Sequence, residues 1–169
     1  MSDAAGSDAT ALAAQLGSAD PRVRTAAAEA LARLGEAGAP AASALVRACR
    51  DVDEQVREQA VAALEDLGPP PPEANGQLID LVAQSDQLVA YWAVTLLGRA
   101  GQGAAAAVPA LVRCLESPAD LSVRQRAAWA LGKIGPAATA ARDALGRAAT
   151  AEDPRLARLA AEAIEAIGR

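Results

Sequence analysis

A single sixteen-residue pattern is written five times along this chain of 169 residues. It reads DPRVRTAAAEALARLG (20–35), DEQVREQAVAALEDLG (53–68), DQLVAYWAVTLLGRAG (86–101), DLSVRQRAAWALGKIG (120–135) and DPRLARLAAEAIEAIG (153–168). Asp20, Asp53, Asp86, Asp120 and Asp153 open the copies, and Gly35, Gly68, Gly101, Gly135 and Gly168 close them, in steps of 33, 33, 34 and 33 residues. A period this regular restricts the chain to a repeat architecture, in which each unit buries its apolar face against its neighbours.

Composition says what fills the repeats. The chain is 52% apolar and 22% charged, with no Phe, two Trp and one Tyr, so its core is built from Ala, Leu and Val. Small side chains on helices allow close approach, which predicts an all-α fold. Each Asp is placed to cap a second helix of the repeat, and each Gly suits a left-handed C-cap. Pro21 and Pro154 fall at the first helical position, where the missing N–H costs nothing. The intervening first helices are expected at about 8–17, 40–50, 75–84, 107–117 and 139–149. The Pro69–Pro72 run predicts a stiff, extended connection, and SPAD (117–120) carries one extra residue.

The motif D-x-x-V-R-x-x-A-A-x-A-L-G-x-I-G, seen most fully in DLSVRQRAAWALGKIGPAA (120–138), resembles the short bacterial form of the HEAT repeat, a form also found in phycobilin lyase subunits. No TPLH-like turn marks it as ankyrin, and repeats one, two and five lack the aromatic positions of tetratricopeptide repeats. The resemblance implies an α-solenoid of five HEAT-like hairpins, about ten helices in two layers. Its repeats would cover about 8–39, 40–73, 74–106, 107–138 and 139–169, after a flexible N-terminus at 1–7. It also implies that Arg24, Arg57 and Arg124 pair with Asp residues of neighbouring repeats in a ladder, broken where Ala90 and Ala157 replace Arg.

On the second helix of each repeat, a rotation of about 100° per residue gathers the shared apolar positions around the Val of the motif. The opposite side would be the concave binding face, by resemblance to the family. There fall Tyr91, Trp92, Thr95 and Arg99 in repeat three, Gln125, Arg126, Trp129 and Lys133 in repeat four, and Arg158, Leu159 and Glu162 in repeat five. Aromatic and Arg side chains are enriched at binding hot spots. The expected partner-binding residues are therefore Tyr91, Trp92, Thr95, Gln125, Arg126, Trp129, Lys133, Arg158 and Leu159. Packing between Ala-rich layers is the competing role for the two Trp residues, and it suits Trp92 better than Trp129.

Charge and chemistry narrow the function. The net charge of −5 argues against a general nucleic-acid binder, which needs a positive surface. Residues 1–106 carry 7 basic against 14 acidic groups, whereas 107–169 carry 9 against 7. A partner is thus expected to bring an apolar anchor flanked by acidic residues at the C-terminal repeats. The chain has no His, no metal-spaced Cys pair and no phosphate-binding or nucleophile-elbow motif, so no catalysis, cofactor or metal is expected. Cys49 and Cys114 sit on first helices two repeats apart, out of disulfide reach, as small buried hydrophobes. No signal peptide or membrane span is visible, which favours the cytoplasm. The reading is a protein-protein interaction scaffold. The alternatives are an accessory, client-binding subunit of a modifying enzyme such as a chromophore lyase, and a module for end-to-end self-association through the last helix.

Overall fold

The computed structural model describes residues 2–84, 86–117 and 120–169, and every regular element among them is helical. Ten α-helices alternate along the described chain: α1 (Ser2–Gln15), α2 (Pro21–Leu34), α3 (Ala42–Ala48), α4 (Glu54–Glu65), α5 (Asn75–Val82), α6 (Gln87–Arg99), α7 (Val108–Glu116), α8 (Leu121–Ile134), α9 (Arg142–Ala148) and α10 (Pro154–Ile167). The even-numbered helices are the five copies of the motif. The all-α repeat fold expected from the period is the fold observed.

All five Asp residues cap. Each has extended backbone and accepts from an N–H of the first turn: Asp20 from Arg22, Asp53 from Gln55 and Val56, Asp86 from Val89, Asp120 from Val123 and Asp153 from Leu156. Those N–H groups have no partner inside the helix, so the cap satisfies donors that burial would otherwise strand.

The closing glycines differ from expectation. Gly35, Gly101 and Gly135 have positive φ, of 52°, 57° and 68°. In Gly35 and Gly135 it is joined to ψ of −126° and −138°, the first corner of a type II′ turn rather than a left-handed helical cap. Gly168 has φ of −85°, an ordinary helical value. From the three positive-φ glycines the chain passes into 3₁₀ turns spanning Gly35–Ala41, Gly101–Ala107 and Gly135–Ala141, the last two kinked at Ala104 and Ala138. These consume residues expected in the first helices, so α3 and α9 begin at Ala42 and Arg142 rather than near 40 and 139.

The Pro69–Pro72 run replaces such a segment after α4. Pro71 is extended (φ −66°, ψ 150°), and a single 3₁₀ turn, Pro72–Ala74, leads into α5. At the N-terminus α1 begins at Ser2, where a flexible stretch over 1–7 was expected; Met1 lies outside the described residues. Of the SPAD connection, Pro118 and Ala119 lie outside them too.

The chain divides into two compact units, 1–77 and 78–169, with the division inside the third expected repeat. In the first unit α1 packs on α2, α3 on α4, and α2 on α4, which makes two layers of helices. Its core is Ala27, Ala28, Leu31, Leu45, Val46, Ala60, Ala63 and Leu64, each fully buried. In the second unit α7 packs on α8 and α9 on α10, while α6, α8 and α10 pack in sequence as one layer. Glycine sets that spacing: a Cβ on Gly132 of α8 would lie 3.1 Å from the Cα of Ala163 in α10. The two backbones approach that closely because neither residue carries more than a methyl group.

Among the described residues, the expected Arg–Asp ladder shows the Arg24–Asp51 rung. Arg24 forks onto Asp51 at 2.8 and 2.7 Å and also donates to the Ser18 carbonyl at 2.9 Å. Arg57 bonds backbone carbonyls, at Asp51 and Val52, and Arg124 bonds the Leu115 carbonyl at 3.0 Å. In repeat five the residue two before the capping Asp, which is Asp51 in repeat two, is Ala151. Arg124 has no carboxylate at that position to meet.

Candidate functional site

The nine expected binding residues all lie on α6, α8 and α10 of the second unit, and the structure sorts them into two groups. Trp92 and Thr95 are corrections to the expected site. They are 7% and 3% exposed, too buried to meet a partner. The cause is α6 itself, QLVAYWAVTLLGR, which is apolar or small on all sides; every residue from Val89 to Gly98 except Tyr91 is buried. A helix with no polar face has no face left for solvent. The Thr95 hydroxyl spends its proton on the Tyr91 carbonyl at 2.7 Å. Trp92 meets Tyr91 edge to face, with ring centroids 5.6 Å apart, and Arg99 stands 5.9 Å from its ring.

The other seven residues form a surface. Tyr91, Gln125, Arg126, Trp129 and Leu159 are half-buried, and Lys133 and Arg158 are exposed. At the centre is a stack across α6 and α8. The Arg126 guanidinium carbon lies 4.8 Å from the Tyr91 ring and 5.1 Å from the Trp129 ring, and Arg126 donates to the Tyr91 hydroxyl. Lys133, one turn on, stands 5.9 Å from the same Trp129 ring. A cation over an aromatic face is held by the ring quadrupole, so the stack fixes a side chain that would otherwise be mobile.

Trp129 reaches this position because of Gly98. A Cβ on Gly98 would sit 2.3 Å from Cζ3 of Trp129, so the indole occupies the space that any larger residue on α6 would claim. Gln125 ties α8 to α10 by donating to Asp153 at 2.8 Å. The Leu156 N–H, and after it the Gln125 amide, hold the Asp153 carboxyl below the usual carboxylate range. Asp120 is lowered in the same way, first by the Ser122 hydroxyl and then by the Val123 N–H.

Two clefts flank Trp129. One, of about 240 Å³, runs between α8 and α10 and is lined by Ala128, Trp129, Gly132, Lys133, Leu159, Glu162, Ala163 and Ala166. The other, of about 160 Å³, lies toward the helix starts and is lined by Tyr91, Ser122, Gln125, Arg126, Trp129, Arg155 and Leu159. Trp129 and Leu159 belong to both. Arg158 points elsewhere, pairing with Glu162 at 2.6 Å on the rim.

The sequence reading missed Ser122 and Arg155, although the signal was present. Both stand one residue before the apolar fourth residue of the motif, Val123 or Leu156, at about 260° on the same wheel and inside the chosen face. Gly98 and Gly132 were missed because an absent side chain gives no chemical signal. Among the described residues no group of three or more His, Cys, Asp or Glu side chains is placed to hold a metal. Nor, among them, is any helix long and apolar enough to cross a membrane. Cys49 is buried and its thiol donates to the Leu45 carbonyl at 3.5 Å, and burial raises the pKa of the half-buried Cys114 thiol; the two are not joined in a disulfide.

Among curated proteins none matches this chain. Among solved structures it is similar to an engineered protein at 27% identity and a TM-score of 0.66, over 93% of this chain and 78% of that one. It is also similar to a chain of the complex of CpcE and CpcF of phycocyanin lyase from Nostoc sp. PCC7120, at 26% identity and a TM-score of 0.64. That match covers 92% of this chain but only 63% of the other. A designed armadillo repeat protein in complex with the peptide (KR)4 shares the fold, at 21% identity and a TM-score of 0.68, over 92% of this chain and 80% of that one. The family model for HEAT repeats matches residues 8–65 and 74–167, nearly the whole length. With its capped motif helices, its Ala-rich layers and that match, the chain belongs to the HEAT repeat family.

Proposed function

We propose that the chain is a non-catalytic protein-binding scaffold whose partner docks on α6, α8 and α10 of the second unit. The observation that carries this reading is the Tyr91–Arg126–Trp129 stack between two clefts. Interface hot spots are built from ordered aromatic and Arg side chains in partly desolvated pockets, since little entropy remains to be lost when they bind. Here both residue types stand together on one face, already ordered. Repeat folds of related architecture bind peptides and partner subunits, as the armadillo design does with (KR)4 and as CpcE does with CpcF.

The test is capture of partners from cell lysate by the wild type beside Trp129→Ala, with helicity of both checked by circular dichroism. A partner held by the wild type and lost from the folded variant supports the reading. Equal capture by both moves binding off this face.

The likeness to the phycocyanin lyase chain favours a second reading, an accessory subunit that holds a client for a modifying enzyme. Visible absorbance travelling with the purified protein would select that reading over a scaffold for protein partners alone.

A further inference from the structure

We propose that the two clefts beside Trp129 are halves of one groove for an acidic-apolar peptide segment. Arg126 and Arg155 would take an Asp or Glu carboxylate, and the cleft floored by Gly132 and Ala163 would take the neighbouring apolar side chain. The inference rests on the protein-binding reading above and adds the chemistry of the ligand.

Each cleft taken alone has room for a side chain rather than for a whole small molecule. At about 160 and 240 Å³ each cleft is smaller than the ~300–1,000 Å³ common for small-molecule sites. Their shared walls, Trp129 and Leu159, make them neighbouring subsites for adjacent parts of one segment.

The linings differ in chemistry. The larger cleft presents Ala128, Trp129, Gly132, Leu159, Ala163 and Ala166; of its two charged residues, Glu162 is matched by Arg158 at 2.6 Å and Lys133 stands over the Trp129 ring. The smaller cleft contains two arginines and no acid. Arg126 is held between two rings with one donor spent on the Tyr91 hydroxyl, and a guanidinium carries five donors in a rigid fork. That fork matches the two oxygens of a carboxylate, and its ordering cost is already met. Arg155, exposed in the first turn of α10, brings a second positive charge to the same cleft.

Three carboxylates among the described residues stand near, and all are engaged: Asp86, which shares a neighbouring cleft with Tyr91 and Ser122, accepts from the Val89 N–H. Asp153 accepts from the Leu156 N–H and the Gln125 amide, and Asp120 from the Val123 N–H and the Ser122 hydroxyl. Their oxygens are engaged at helix caps and none of them lines the smaller cleft, whose charged lining residues are Arg126 and Arg155.

The test selects peptides from a phage-displayed random library on the full chain. Selected sequences, synthesised with acetylated and amidated ends, are then titrated against the wild type, Arg126→Gln and Arg155→Gln by tryptophan fluorescence. The expected sequences carry Asp or Glu within two residues of a Leu, Ile, Val, Met or Phe. Replacing that Glu by Gln, or either arginine by Gln, should weaken binding about tenfold, the usual worth of a charge-assisted hydrogen bond. Binding should also weaken as salt rises. If Arg126→Gln fails to fold, Arg155→Gln, which leaves the stack intact, and the peptide substitution still decide. Selected peptides that lack acids, or that bind the variants as tightly as the wild type, overturn the acidic groove and leave the scaffold reading standing. Phosphoserine peptides that bind where Glu peptides do not would overturn the carboxylate assignment in favour of phosphate. A library that yields no binding peptide overturns both readings.

Discussion

Gly98 and Trp129 act as one piece of packing, because the indole fills the space where a side chain on α6 would stand. Gly98→Ala places a Cβ 2.3 Å from Trp129 Cζ3, in a helix whose neighbouring residues are buried. Overpacking of this kind costs about 1–3 kcal/mol. Thermal unfolding should show that loss, and the Trp129 emission should shift as the ring leaves Arg126. Gly146→Ala is the contrast: nothing lies within 4 Å of the new Cβ, and Gly146 sits inside α9. There the loss of unfolded-state entropy should stabilise by about 0.5–1 kcal/mol. The half of this site that carries side chains was legible in the sequence, since rotation along α8 places Arg126, Trp129 and Lys133 on one face. Trp92 and Thr95 were misplaced because the same rotation assumes an open face, and α6 has none.

Helices in this chain are defined by their starts more than by their ends. The opening Asp is a chemical device with a fixed partner, so all five caps could be read from sequence. The closing Gly records only that φ is free, and the structure uses that freedom for turns into 3₁₀ segments at three of the five positions. Asp53→Ala removes acceptors from the Gln55 and Val56 N–H groups and should cost about 1 kcal/mol, read as a lower unfolding midpoint in urea.

The Arg24–Asp51 pair joins two neighbouring repeats of the first unit and responds to pH. The hydrogen bond from Arg24 holds the Asp51 carboxyl below its ordinary value. A carboxyl depressed in the folded state gives its full stabilisation above the unfolded pKa, and loses it as pH falls through the folded one. The gap in melting temperature between the wild type and Asp51→Asn should therefore be widest near neutral pH. It should narrow as pH falls below about 4. A gap that stays constant down to strong acid would show that the pair does not carry the difference.

Over the whole chain, the 33-residue period made the repeat count and helix order readable, because each copy must bury the same stripe against its neighbours. The division into units at 77 and 78 was only partly readable, since the Pro69–Pro72 run marks an irregular connection between the second and third copies but the 33-residue period continues across it. The period also hides the feature that distinguishes one repeat from another. That feature is the set of residues each copy does not share, and in the second unit these include Tyr91, Arg126 and Trp129. Site-specific photo-crosslinking tests their role most directly. A photoreactive side chain is placed at Ala166, which lines the larger cleft, and in a second protein at Ala140, exposed on the segment before α9. A partner that binds the face of α8 and α10 should form adducts from position 166 and none from position 140. Adducts from 140 with none from 166 would contradict the assignment of that face as the binding surface.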